Sequence, residues 1–191
     1  MRIPCLVTLA LLAGAGVAAQ NPQRNATAPE TFTATANAAK PGAGAISATL
    51  QIHIERYTPD FDRKAVETAL KTGGYASFVN ALKKAPDVGY VQLGDQKTAI
   101  RWARMTPADK GRRIVVVTDK PVFFVGGGAA NAKPRTGYDV AVIELTVDEI
   151  GLGTGNMAAA ARVRPGGEAG VQIDDYADAP IKLVSVTRKL S

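Results

Sequence analysis

The chain has 191 residues, 46% of them hydrophobic, with 23 basic and 17 acidic side chains for a net charge of +6. It is long enough for one ordinary hydrophobic core, and its charges are too dispersed to form the long basic tail of a nucleic-acid binder. One cysteine, Cys5, and one histidine, His53, exclude a disulfide framework and leave carboxylates as the only plentiful metal ligands, so no metal site and no cofactor is expected.

In chain order, Met1-Arg2 is a short basic start. Residues 5–19, CLVTLALLAGAGVAA, follow as an apolar run with small residues before Gln20. That pattern predicts a secretory signal peptide over residues 1–19, and the run is too short and too glycine-broken for a bilayer span. The expectation is an exported chain, periplasmic or secreted, with no cysteine and no transmembrane segment once mature. Residues 20–44 are rich in Ala, Thr, Asn and Pro, and Phe32 is their only large apolar side chain. Such a composition predicts a disordered spacer that contributes nothing measurable to folding. A single domain is expected over residues 45–191.

Leu50, Ile52 and Ile54 alternate with Gln51, His53 and Glu55, as in a strand buried on one face. Thr58-Pro59 then suits an N-cap and first helical position, with Asp60 and Asp62 placed for the helix dipole. Phe61, Ala65, Val66, Ala69 and Leu70 recur at helical spacing up to Gly73-Gly74, and Tyr75, Phe78, Val79 and Leu82 repeat it beyond. Two short amphipathic helices after the first strand are predicted. From there the chain reads as strands: YVQLG, TAIRWARM, RRIVVVTD, PVFFV, DVAVIELTV, GNMAAAARV, AGVQIDD and PIKLVSVTR, each ended by turn residues. The fold class is therefore α+β, a mainly antiparallel sheet that is curled, closed into a barrel or stacked as a sandwich. The segments GRRIVVVTDKPV and GNMAAAARVRPGGEAGVQIDDYADAPIKLVSVTRKL resemble parts of exported bacterial proteins of uncharacterised function. That resemblance covers the C-terminal half, carries no catalytic motif, and implies export and a β-rich ending.

Three stretches could carry a ligand. Gly126-Gly127-Gly128 with Lys133 and Arg135 lies between two apolar runs. The spacing fits no phosphate-loop motif, because Pro134 and Gly137 replace the helix such a loop needs, but cations beside exposed glycine amides could meet an anion. Arg101 and Trp102 could form an exposed pair for a sugar or phosphate, although opposite faces of a strand and a core tryptophan are the simpler expectation. His53 and Glu55 share one strand face and could pass a proton between them. A hydrolase built on them would need a second carboxylate in the same cleft, such as Asp139 or Glu144. Ser47, Ser77 and Ser185 lack a nucleophile elbow, since G-x-S-x-G is absent. The functional expectation is a non-catalytic binding or envelope-associated module, whose partner is an anionic envelope component or a protein; the alternative is a secreted hydrolase of polysaccharides or esters.

Overall fold

The computed structural model describes residues 29–40, 44–122 and 135–190. Among them it has nine strands and one helix: β1 (Glu30–Lys40), β2 (Gly44–Ile54), α1 (Asp60–Lys84), β3 (Gly89–Leu93), β4 (Gln96–Ala108), β5 (Gly111–Thr118), β6 (Val140–Val147), β7 (Gly153–Pro165), β8 (Val171–Tyr176) and β9 (Ile181–Leu190). Every pairing is antiparallel. The order β6-β5-β4-β3-β2-β1-β9-β7 closes through β6–β7 into an eight-stranded barrel, and β8 lies outside the ring on β7. Strand β7 makes this possible by being long. Its first half pairs with β6 and β9, and its second half, from Ala161 to Pro165, pairs with β8.

Two expectations are corrected here. Residues 30–40, expected within the spacer, form β1, a full member of the barrel between β2 and β9. The segment ETFTATANAAK alternates strictly, with Phe32, Ala34, Ala36 and Ala38 buried inside and Thr31, Thr33, Thr35 and Asn37 outside. Alanine is enough on the inner face because an eight-stranded barrel is only wide enough for side chains to fill it. The second correction concerns the helices. One helix is present rather than two, and it follows the second strand. Gly74, at φ 69° and ψ −167°, breaks its course in a region essentially reserved for glycine. The break expected at Gly73-Gly74 is thus present as a kink between two helical stretches that run on as one element.

Two apolar clusters divide the core. Inside the barrel, Phe32, Leu50, Ile52, Ile54, Ile100, Ile114, Ile143 and Leu145 are fully buried. Outside it, Val66, Leu70, Phe78 and Leu82 of α1 press on Trp102, Val115, Val117, Val140 and Val142. Strands β5 and β6 are thus buried on both faces, which is why VVV and VAVI run without alternation. A bulge between Ile100 and Trp102 sets the parity in β4, so that Ile100, Ala103 and Met105 face in while Trp102 meets the helix. Thr58 is drawn to that bulge. Its Oγ1 accepts the Ala103 N–H at 2.8 Å instead of capping α1, whose cap position is Pro59 and has no side-chain hydrogen bond. Phe61, expected on the packed face, is 83% exposed.

The helix covers the β4–β7 side of the barrel. Among the described residues nothing covers the outer face of β9, β1, β2 and β3. With an apolar interior and a polar bare wall, the barrel has the opposite arrangement from one whose outer band meets lipid. No helix among the described residues is long and apolar enough to cross a membrane.

Candidate functional site

The lone histidine anchors the most organised polar group on the bare wall. The register of β1, β2 and β3 places Thr31, His53 and Tyr90 side by side, since Thr31 pairs with His53 and His53 with Tyr90. Thr31 Oγ1 lies 2.9 Å from His53 Nδ1, and His53 Nε2 lies 3.1 Å from Glu55 Oε2. With the proton on Nε2, the ring donates to the carboxylate and its Nδ1 accepts from the threonine hydroxyl. The imidazole stacks on the Tyr90 ring at a centroid distance of 5.0 Å, and Lys97 Nζ stands 4.4 Å from that ring. Such a cation–aromatic contact contributes about 0.5–1 kcal/mol at an exposed site. Gly89 allows β3 this close, because a Cβ there would lie 2.0 Å from the His53 carbonyl oxygen.

His53, Glu55, Tyr90 and Lys97 line a depression of about 430 Å³ together with Asp87, Thr98 and Ala99, and Thr31 supports His53 from outside it. Its two carboxylates, Glu55 and Asp87, are exposed, whereas the Thr31 residue is only 8% exposed. Arg101 reaches the depression indirectly. It pairs with Asp87, holds Asp119 at 3.0 Å and donates to the Ala85 carbonyl, the residue that ends α1. Arg101 is therefore a clamp between helix end and barrel.

The remaining predicted residues are not brought together. Trp102 is fully buried beneath α1, so it cannot stack on a ligand, and the Arg101–Trp102 pair is corrected to one clamp and one core residue. Glu144 is held at 2.7 Å by Arg113, and its strand β6 is separated from β2 by β3, β4 and β5; Asp139 lies beside Tyr75 at the start of β6. Neither carboxylate shares a cleft with Glu55. Gly127 and Lys133 lie outside the described residues. Arg135 is exposed at the turn leading to Tyr138, whose hydroxyl donates to Asp175. Thr31, Asp87, Tyr90 and Lys97 escaped sequence reasoning because strand register brings them to His53.

A second polar cluster closes one end of the barrel. The Glu30 carboxylate is fully buried and accepts from Arg112 Nη1 at 3.0 Å, from Arg112 Nη2 at 2.6 Å and from the Tyr57 hydroxyl, with Arg188 Nη1 at 3.7 Å. Arg112 also lies over the Phe32 ring at 5.7 Å. Above it is a cavity of about 360 Å³ lined by Met105, Arg112, Asp148, Glu149 and Arg188. Its two arginines already face Glu30, so Asp148 and Glu149 are not left with free cations to share with a ligand.

Burial, then the Glu30 charge and hydrogen bond, push the Tyr57 phenol far above the ordinary tyrosine value. Burial also pushes Tyr75 up to about 12; its hydroxyl donates to the Ala161 carbonyl and accepts the Asp139 N–H. Both folded-state values exceed the unfolded one, near 10, so the unfolded chain gives up these protons first. Their contribution to stability is full below about pH 10 and is lost as the pH rises through the folded values. Urea unfolding between pH 9 and 12 should show falling stability, and Tyr75→Phe should flatten part of that fall.

Compared with family models, curated protein sequences and solved structures, the chain matches none of them.

Proposed function

We propose that the chain is exported and acts as a non-catalytic binding module, taking its ligand on the bare outer wall around His53. The basic start, the apolar run and the resemblance to exported bacterial proteins support export. The interior offers a ligand little, being filled by Phe32, Leu50, Ile52 and their neighbours. The observation that carries the reading is the fixed His53 ring, tied by both nitrogens and stacked on Tyr90 beside a depression lined by both acidic and basic groups. Side chains locked this way need little further ordering when a ligand arrives, which is where much of the cost of binding lies.

The same chain of hydroxyl, imidazole and carboxylate is what a hydrolase would use, and it supports the second reading. Against it, Thr31 is only 8% exposed and does not line the depression beside His53. The test uses protein lacking residues 1–19. A thermal-shift screen against sugars, anions and lipid headgroups should find a ligand that raises the melting temperature and whose effect His53→Ala removes. At a ligand concentration of 100 times Kd the stabilisation is about 2.7 kcal/mol. Turnover of nitrophenyl esters or glycosides that Thr31→Val abolishes would establish the hydrolase instead. Mature protein should begin near Gln20; uncleaved chain in the cytoplasm would overturn export.

A further inference from the structure

Next to the His53 depression, the bare wall carries no charge over an unusual extent. Thr33, Thr35 and Asn37 point outward from β1, and Ser47, Thr49 and Gln51 from β2; the register pairs Thr33 with Gln51, Thr35 with Thr49 and Asn37 with Ser47. Gln92 of β3 and Thr187 of β9 continue the Thr33–Gln51 row on either side. Val184 of β9 lies beside Thr35, and three lysines border the patch: Lys182 and Lys189 of β9 beside Asn37 and Thr31, and Lys97 of β4 beside Gln92. The exposed surface of a small soluble domain is typically about 25–35% charged, yet these eight adjacent positions hold only hydroxyls and primary amides. Each such group can both donate and accept a hydrogen bond.

We infer that this wall is a docking surface for a neutral polysaccharide. The inference rests on the binding-module reading and names its ligand class. Protein partners are disfavoured because interfaces are anchored by aromatic, methionine and arginine side chains, and among the described residues the large exposed apolar ones, Phe61, Ile150, Leu152 and Tyr176, all lie off this wall. Nucleic acid and anionic lipid are disfavoured because their affinity comes from lysine and arginine contacts with phosphate. What remains complementary to an uncharged row of hydroxyls and amides is a chain of uncharged hydroxyls. A sugar hydroxyl can take the place of wall water one hydrogen bond at a time, with no charge to desolvate. Among the described residues nothing covers the wall along β1 and β2, and it ends at His53 and Tyr90, so a polymer lying along the strands would end at the depression.

The experiment is native electrophoresis of protein lacking residues 1–19 through gels containing a soluble neutral glycan: an α-glucan, a mixed-linkage β-glucan, a xylan or a mannan. Parallel gels hold an anionic polysaccharide, and anionic phospholipid vesicles are tested by co-sedimentation. At least one neutral glycan should retard the protein, with Kd changing less than twofold between 0.05 and 0.5 M salt. The triple variant Thr33→Val, Thr35→Val, Thr49→Val keeps β-branched side chains and removes three hydroxyls; it should keep its melting temperature within a few degrees and bind at least fivefold more weakly. Thr49→Lys, a single change at an exposed position, should weaken binding as much and guards against misfolding of the triple variant. Lack of retardation by every neutral glycan, salt-sensitive retardation, or unchanged binding by both variants overturns the inference. Binding only to the anionic polysaccharide or the vesicles overturns the neutral glycan while leaving the binding-module reading intact.

Discussion

A chain that begins at Ala45 should show no cooperative thermal transition, while one that begins at Pro29 should melt in a single step. The shorter chain lacks β1, which pairs along its whole length with β2 and over most of it with β9, so its loss opens the barrel at two seams. It also removes Phe32, fully buried inside, and the carboxylate that neutralises Arg112. Truncating a buried phenylalanine alone costs about 3–5 kcal/mol, against a total of about 5–15 kcal/mol for a domain. Leu50, Ile52, Leu183 and Val186 would lose their neighbours as well. Circular dichroism of the two chains decides it. A melt of the Ala45 chain within a few degrees of the longer one would mean that β1 is dispensable.

Glu30→Ala should be the most damaging single substitution of a charged residue. It leaves Arg112 and Arg188 facing an apolar barrel end without their carboxylate, and removing one partner of a buried ion pair costs about 3–5 kcal/mol. At roughly 2–4 °C per kcal/mol for a chain of this size, the melting temperature should fall by on the order of 10 °C. Replacing Glu30 by Leu and Arg112 by Met together should recover part of that loss, since a well-packed apolar pair often substitutes for a buried ionic one. Urea unfolding of the single and double variants gives the coupling. A loss below about 1 kcal/mol for Glu30→Ala, the range of an exposed ion pair, would show that the barrel end is wet.

The strands from β3 onward were legible because their apolar runs and turn residues are conspicuous; PVFFV is the exception, since Pro121 and Val122 belong to no strand and residues 123–125 lie outside the described residues. Closure was not, since pairing of β6 with β7 and of β1 with β9 depends on which edges meet in space. Strand β1 was misread for a physical reason. Its alternation is strict, but the inward residues after Phe32 are alanines, whose small apolar area looks too poor to drive folding unless a narrow barrel interior is already assumed. The helix break at Gly74 was visible as a glycine pair, whereas the continuation of the element past the kink was not, because Val66 and Leu70 before it and Phe78 and Leu82 after it pack on the same outer face of the barrel. Of the site, His53 and Glu55 stood out by type and alternation; Thr31 and Tyr90 are 22 and 37 positions away and reach His53 only through register.

The seam between β1 and β9 has a consequence for the timing of folding. The first described strand finds one of its two neighbours only in the last described one, so the ring cannot shut until Ile181–Leu190 is in place. Contacts between such distant segments also slow the search, as high contact order does in other β-rich chains. Until β9 docks, β1 and β7 each keep an open edge and the inner apolar face stays accessible. A ring wired this way stays open through most of its assembly and locks only when β9 arrives between β1 and β7.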